Sequence, residues 1–149
     1  MRGFAFLLIF LAACATAPEG PPEPVPPAPT AEPPPPPIAR SENVAVAGLM
    51  ESARADAAAG KLSTAAASIE RALRIEPRNP RLWQELARVR LQQGQLVQAE
   101  NVAARSNSFA GSDSALRAEN WRLIAQAREA RGDADGARAA RDSAEKLAH

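Results

Sequence analysis

The chain has 149 residues, of which 46% are hydrophobic and only 4% aromatic, and 18 basic residues against 17 acidic ones leave a net charge of +1. This balance, without a basic block anywhere, argues against a nucleic-acid-binding protein. The single cysteine cannot form a disulfide within the chain, and the single histidine is the last residue, so no metal site is expected. Many Ala and Leu residues and no Tyr favour helices over sheets.

The chain begins with the pattern of an export signal. Arg2 supplies a positive start, and the apolar run Phe4–Leu11 is too short to span a bilayer as a helix. The run ends in a Leu-Ala-Ala-Cys motif at Cys14 that resembles the lipobox of bacterial lipoproteins, whose cysteine is acylated before cleavage. We therefore expect a signal peptide over residues 1–13 and palmitate-type lipidation at Cys14, which would anchor the protein. An ordinary secretory cleavage with an incidental cysteine is the alternative.

Residues 14–40 are expected to be a spacer. Ala15 stands where lipoproteins retained in the inner membrane commonly carry Asp, and by that resemblance the anchor lies in the outer membrane and faces the periplasm. Twelve of the 14 prolines lie between Pro18 and Pro37. A segment of this composition forms no core and adopts extended polyproline II, so we expect a disordered, Pro-rich linker. A PxxP ligand for an SH3-like groove is the alternative.

From residue 41 onward the sequence repeats itself. Short turns at Gly60, Gly94 and Gly132 are spaced by 34 and 38 residues, and Trp83 and Trp121 stand eleven residues before the second and third glycine. Alanines recur five residues after each glycine and seven residues before it: Ala65, Ala99 and Ala137, and Ala53, Ala87 and Ala125. Apolar residues spaced by three and four positions predict a helix on each side of every turn.

This pattern resembles the tetratricopeptide repeat, a helix-turn-helix unit of 34 residues. The tyrosine that this family carries four residues before the glycine is replaced by Asp56, Arg90 and Arg128. The resemblance implies an all-α fold, a solenoid of three helix-turn-helix units with about six helices. The implied domain covers residues 41–149, with approximate repeats 46–79, 80–113 and 118–149.

Two features predict where helices begin. Asn79 is a suitable N-cap, and Pro80 is tolerated at the first helical position because its missing N–H costs nothing there. The stretch Gly111–Asp113 indicates a loop. We expect the four extra residues of the longer glycine spacing to lie in Ser106–Ser114.

Tetratricopeptide repeats bind partners in a concave groove lined by the first helix of each pair. The register implied by the resemblance places ten residues there: Met50, Arg54, Arg81, Gln84, Arg88, Leu91, Gln92, Glu119, Arg122 and Gln126. Four arginines with few acids predict a mildly basic groove that favours an acidic or carboxylate-bearing peptide. Solvated arginines without a binding role are the alternative. The two tryptophans are expected to fill core between paired helices.

No sequence motif indicates catalysis. GxSxG, SxxK and P-loop patterns do not occur. The acidic pairs, Asp133 with Asp135 and Asp142 with Glu145, are explained by helix capping and solubility. We therefore expect no catalytic residue, cofactor or metal, and interpret the protein as a binding module.

The combination of lipobox, Pro-rich spacer and three-repeat domain resembles the LpoP family of outer-membrane lipoproteins, most distinctively in Ile75–Ala87 and Asn120–Ala127. The resemblance implies that the domain binds and activates a class A penicillin-binding protein of the 1b type, a peptidoglycan synthase, and so supports cell wall synthesis. One alternative is an assembly lipoprotein or scaffold for a secretin, pilus or outer-membrane protein insertion complex, although three repeats are few for that role. A periplasmic enzyme or glycan-binding module is the other, and the scarcity of aromatic residues counts against it.

Overall fold

A computed structural model describes residues 44–148, which form six α-helices and no strand. The helices are α1 (Val44–Ala58), α2 (Leu62–Ile75), α3 (Pro80–Gln92), α4 (Leu96–Phe109), α5 (Ser114–Ala130) and α6 (Ala134–Ala148). They pack as the pairs α1–α2, α3–α4 and α5–α6, and neighbouring pairs also contact each other. The predicted all-α architecture is therefore confirmed. The predicted signal peptide, Cys14 and Pro-rich linker lie outside the described residues.

Within this described part, no helix combines the length and the apolar character needed to cross a bilayer.

A glycine with positive φ ends the turn inside each helix pair. Gly60, Gly94 and Gly132 have φ values of 75°, 72° and 83°, a region in which residues with a Cβ are strained. At the start of α3, the Asn79 side chain accepts a hydrogen bond from the Arg81 N–H at 3.0 Å. The predicted cap at Asn79 is thus confirmed, and the glycine phase marks the three hairpins.

The prediction for the longer glycine spacing is wrong. The loops 76–79 and 110–113 are equally long, and α2 and α4 have 14 residues each, whereas α3 has 13 residues and α5 has 17. The four extra residues therefore form an additional turn of α5, not a longer loop in Ser106–Ser114. The Asp113 carboxylate caps this turn by accepting from the Leu116 N–H at 2.9 Å, so α5 begins before the expected boundary at 118. Leu116 and Ala118 stabilise the turn because both are buried.

The core consists of two clusters of apolar side chains. The first lies among α1, α2 and α3 and includes Val46, Ile69 and Leu82. The second lies among α3, α4, α5 and α6, where Leu123 and Ile124 pack against buried alanines. Small alanine side chains let neighbouring helices approach closely, and the alanines that recur in phase with the glycines are all buried.

A buried polar network joins the second and third repeats. Asn120 is fully buried and donates to Ser106 Oγ at 2.7 Å and to Asn107 Oδ1 at 2.9 Å. Ser106 in turn donates to the Pro80 carbonyl at 2.7 Å. These bonds connect α4, α5 and the start of α3, and a buried network of this kind fixes how the helices pack.

The arginines at the family's tyrosine position connect successive repeats. Arg90 on α3 contacts Glu70 on α2 at 2.5 Å, and Arg128 on α5 contacts Glu100 on α4 at 2.5 Å. All four side chains are at least half buried. In this chain a partly buried ion pair therefore replaces aromatic packing between a first helix and the preceding second helix.

We expect Gly94→Ala to lower the free energy of unfolding by about 1 kcal/mol, because its φ of 72° strains a residue with a Cβ. No atom lies within 4 Å of a Cβ added there, so the effect is conformational rather than steric. Urea unfolding followed by circular dichroism measures it. Gly48→Ala is the matched control, because Gly48 lies inside α1 with equally open surroundings. That change should stabilise the domain by about 0.5 kcal/mol, and equal effects of the two changes would contradict the argument.

Candidate binding groove

The first helices of the three repeats carry a chain of alternating charges. The residues are Arg54 on α1, Glu85 and Arg88 on α3, and Glu119 and Arg122 on α5. Glu85 contacts Arg54 and Arg88 at 3.8 Å each, Arg88 contacts Glu119 at 3.8 Å, and Glu119 contacts Arg122 at 3.1 Å. We call these five residues the ion-pair ladder. It crosses α1, α3 and α5, and so marks the surface that the three first helices share.

Local helix geometry explains the ladder. Glu85 and Arg88 are three residues apart on α3, and Glu119 and Arg122 are three apart on α5, a spacing that places both members of a pair on one helix face. The contacts of Glu85 with Arg54 and of Arg88 with Glu119 then link neighbouring helices. Four predicted groove residues are brought together in this way.

Glu85 is the ladder residue that the sequence analysis missed. Its signal is the Glu-x-x-Arg spacing, which occurs at Glu51, Glu85 and Glu119. Arg81, which was predicted to lie in the groove, contacts Asp113 at 3.4 Å at the beginning of α3 and is not part of the ladder. The ladder thus holds three arginines and two glutamates, so the arginines already have carboxylate partners. A carboxylate from another molecule has to compete with Glu85 and Glu119 for them.

The other predicted groove residues differ in exposure. Met50 is 8% exposed and Gln84 is 7% exposed, so each offers a partner little surface. The Gln84 Nε2 has no hydrogen-bond partner among the described residues. Leu91 is half-buried and packs against the second core cluster, whereas Gln92 is exposed. Met50 and Gln92 line a shallow recess between α1 and α3 with a volume of about 40 Å³.

A larger recess lies at the last repeat. Its volume is about 320 Å³, and it is bounded by Arg122 and Gln126 on α5 and by Arg141 and Glu145 on α6. Two of these residues were predicted to line the groove. Arg141 and Glu145 were missed because they lie on a second helix, and Arg141 also contacts Glu129 on α5. Guanidinium groups on both sides of the recess suit a carboxylate-bearing ligand.

The acidic residues at the connection between α5 and α6 interact with groups of α6. Asp133 accepts a hydrogen bond from the Gly136 N–H at 2.9 Å at the start of α6, and Asp135 contacts Arg138 at 3.2 Å. Residues 44–148 contain no group of three His, Cys, Asp or Glu side chains that could hold a metal ion.

Comparisons with known proteins identify the family. A profile of the tetratricopeptide repeat matches residues 56–119. The chain is also similar to the solved globular C-terminal domain of P. aeruginosa LpoP, with 48% sequence identity and a TM-score of 0.68, over 69% of this chain and 97% of that chain. The protein belongs to the LpoP family of tetratricopeptide repeat proteins. Comparison with curated protein sequences gives no match.

The match to LpoP confirms the predicted solenoid of three helix-turn-helix units. The match covers 97% of the solved LpoP domain, so nearly all of that domain has a counterpart in this chain. The charged groove described above therefore belongs to a domain of the LpoP type.

The tryptophans of this LpoP-type domain contribute to its core. Trp83 is half-buried against the first core cluster, and Trp121 is half-buried against the second. The Trp83 Nε1 donates a hydrogen bond to the Pro77 carbonyl at 2.8 Å. The prediction that both fill space between packed helices is confirmed.

Proposed function

We propose that this protein is an outer-membrane-anchored periplasmic lipoprotein whose repeat domain binds and activates a class A penicillin-binding protein of the 1b type. The observation that carries the proposal is the 48% identity to the LpoP domain over 97% of its length. The lipobox-like motif at Cys14 supports the lipid anchor. The protein acts by binding its partner and has no catalytic role of its own.

The groove is the proposed contact surface. Arg54, Arg88 and Arg122 are at least two-fifths exposed, so their guanidinium groups are accessible to a partner. A carboxylate of the synthase would replace Glu85 or Glu119 at one of them and form a bidentate pair. Gln92 and Gln126 lie beside these arginines and supply neutral hydrogen-bonding groups.

Activation follows if the domain binds the active state of the synthase more tightly than its resting state. The preference shifts the synthase population toward the active state, and a tenfold shift requires about 1.4 kcal/mol of differential binding. Residues 14–40 serve as the spacer in this proposal. Some 25 residues of polyproline II reach on the order of 80 Å, which carries the domain away from its membrane toward an enzyme on the other side of the cell wall.

The test measures glycan polymerisation and cross-linking by the cognate class A synthase with and without soluble residues 39–149. We expect a clear rate increase with the native domain. For the double variant Arg54→Glu/Arg88→Glu we expect about tenfold more protein to be needed for the same effect, because reversed charge repels a carboxylate. Arg138→Glu on α6 is the control, since its side chain is 70% exposed and is not part of the ladder.

Two outcomes are informative. A rate increase that the double variant weakens and the control does not supports both the activator role and the groove. An unchanged rate, with the domain shown to be folded by circular dichroism, contradicts the activator role. In-cell cross-linking would then identify the partner, with a secretin, a pilus or an outer-membrane protein insertion complex as the alternatives.

A further inference from the structure

A second cluster of arginines lies outside the groove, where the loop before α3 meets the end of α4. The Arg105 guanidinium lies 5.0 Å from the centre of the Trp83 ring and 5.4 Å from that of Phe109. The Arg78 guanidinium lies 5.8 Å from the Phe109 ring centre, and the two rings are 6.4 Å apart. We call these four residues the arginine–aromatic cluster. None of them belongs to the ion-pair ladder or lines either recess.

The positive charge of this cluster is not neutralised within the described residues. Neither Arg78 nor Arg105 forms an ion pair with a carboxylate of residues 44–148. The nearby acidic side chains have other contacts. Glu76 accepts from the Asn79 side chain at 2.7 Å, and Asp113 contacts Arg81 and caps α5.

Stacking on the aromatic rings orients the two arginines. A guanidinium group held over a ring loses conformational freedom, but the N–H groups at its edge remain available as donors. Those donors match the two oxygens of a carboxylate. Both arginines are exposed, so a ligand can reach them without rearrangement of the core.

We propose that Arg78 and Arg105, held on Phe109 and Trp83, form a second docking surface for a carboxylate-rich segment of a protein partner. The surface lies on the loop and on a second helix, so a partner in the groove leaves it accessible. It does not depend on which protein occupies the groove. A partner that engages both sites gains affinity because the second contact is intramolecular.

Two other kinds of ligand fit the cluster less well. A glycan needs an open aromatic face, but Trp83 packs against the first core cluster and carries Arg105 over its ring. A membrane surface needs several exposed apolar side chains that can insert. Near this loop the described residues offer only Ile75, which is 44% exposed. An acidic peptide needs neither feature, because two guanidinium groups are enough to bind its carboxylates.

The test uses the full chain purified in non-ionic detergent, with a synthetic glutamate-rich peptide as the probe. Trp83 lies in the cluster, so its fluorescence reports binding at that place, and Trp121→Phe removes the other tryptophan signal. We expect a saturable emission change with the glutamate peptide and none with the matched glutamine peptide. In Arg78→Gln/Arg105→Gln the affinity should fall by about tenfold or more, because two charge-assisted pairs are lost.

Matched variants distinguish specific binding at the cluster from non-specific electrostatic attraction. Arg138→Gln/Lys146→Gln removes the same charge from α6 and should change the affinity by less than about twofold, because both side chains are exposed and lie outside the cluster, and exposed charges are screened by salt. Arg105→Lys keeps the charge but loses the planar fork, and we expect weaker binding than in the native chain. Circular dichroism confirms that each variant is folded.

Two results would contradict the proposal. One is the absence of any emission change with the glutamate peptide. The other is an equal loss of affinity in Arg78→Gln/Arg105→Gln and in Arg138→Gln/Lys146→Gln. Binding of anionic vesicles or peptidoglycan fragments that depends on Arg78 and Arg105, without binding of the peptide, would assign the surface to another ligand. The synthase is absent from this experiment, so its outcome is independent of the activation assay.

Discussion

Ile124→Ala is expected to lower the free energy of unfolding of the repeat domain by about 3 kcal/mol. Ile124 is 2% exposed and belongs to the core cluster that joins the second and third repeats. Its neighbours include Ala87, Ala103 and Ala140. These side chains are too short to move into the space that the isoleucine vacates, so the cavity stays open and its full cost is felt.

Urea denaturation followed by circular dichroism measures this loss. Val97→Ala is the control, because Val97 is 54% exposed and its truncation should change the free energy of unfolding by less than about 0.5 kcal/mol. A domain of this size has a total stability of only about 5–15 kcal/mol, so the change at Ile124 is a large fraction. A loss below about 1 kcal/mol would show that α5 shifts to close the cavity, contrary to the argument.

Much of the fold is predictable from the sequence because short-range rules control it. The backbone at positions 60, 94 and 132 has positive φ, and glycine adopts this conformation with less strain than any other residue type. Their phase locates all three hairpins before any packing is known. Asn79 and Pro80 locate the start of α3 in the same way, since capping involves only neighbouring residues.

Other features depend on contacts between distant residues. The sequence predicts the four extra residues as loop because Gly111–Asp113 suggests a break. They form a turn of α5 instead, because the burial of Leu116 in the packed domain stabilises the helix there. Likewise, spacing alone places arginines in the groove but does not reveal that Glu85 on α3 reaches Arg54 on α1. The contact of Arg105 with Trp83 joins two different helices and has no local sequence signal.

The ladder changes the expected electrostatics of the groove, and with it the expected effect of mutation. A groove with unpartnered arginines would respond mainly to loss of arginine. In this domain Glu85 contacts both Arg54 and Arg88, so it competes with any carboxylate that a partner brings. Removing the competitor should therefore strengthen binding.

We expect Glu85→Gln to lower the concentration of domain needed for half-maximal activation of the synthase by about three- to tenfold. The amide keeps the shape of the side chain but not its charge, so Arg54 and Arg88 become available to a carboxylate of the partner. The free energy of unfolding should change by less than about 1 kcal/mol, because ion pairs at this degree of exposure contribute little. The gain should shrink as salt is raised, since salt screens exposed charges.

Glu51→Gln is the matched control for this effect. Glu51 is exposed on α1 and lies outside the ladder, so the same change in net charge should leave activation nearly unaltered. Weaker activation by Glu85→Gln would reverse the interpretation of the groove. The partner would then present a cation to Glu85, and the arginines would serve to hold that carboxylate in place. Glu85→Gln and the double variant Arg54→Glu/Arg88→Glu thus have opposite expected effects, and only a partner that brings carboxylates into the groove produces both.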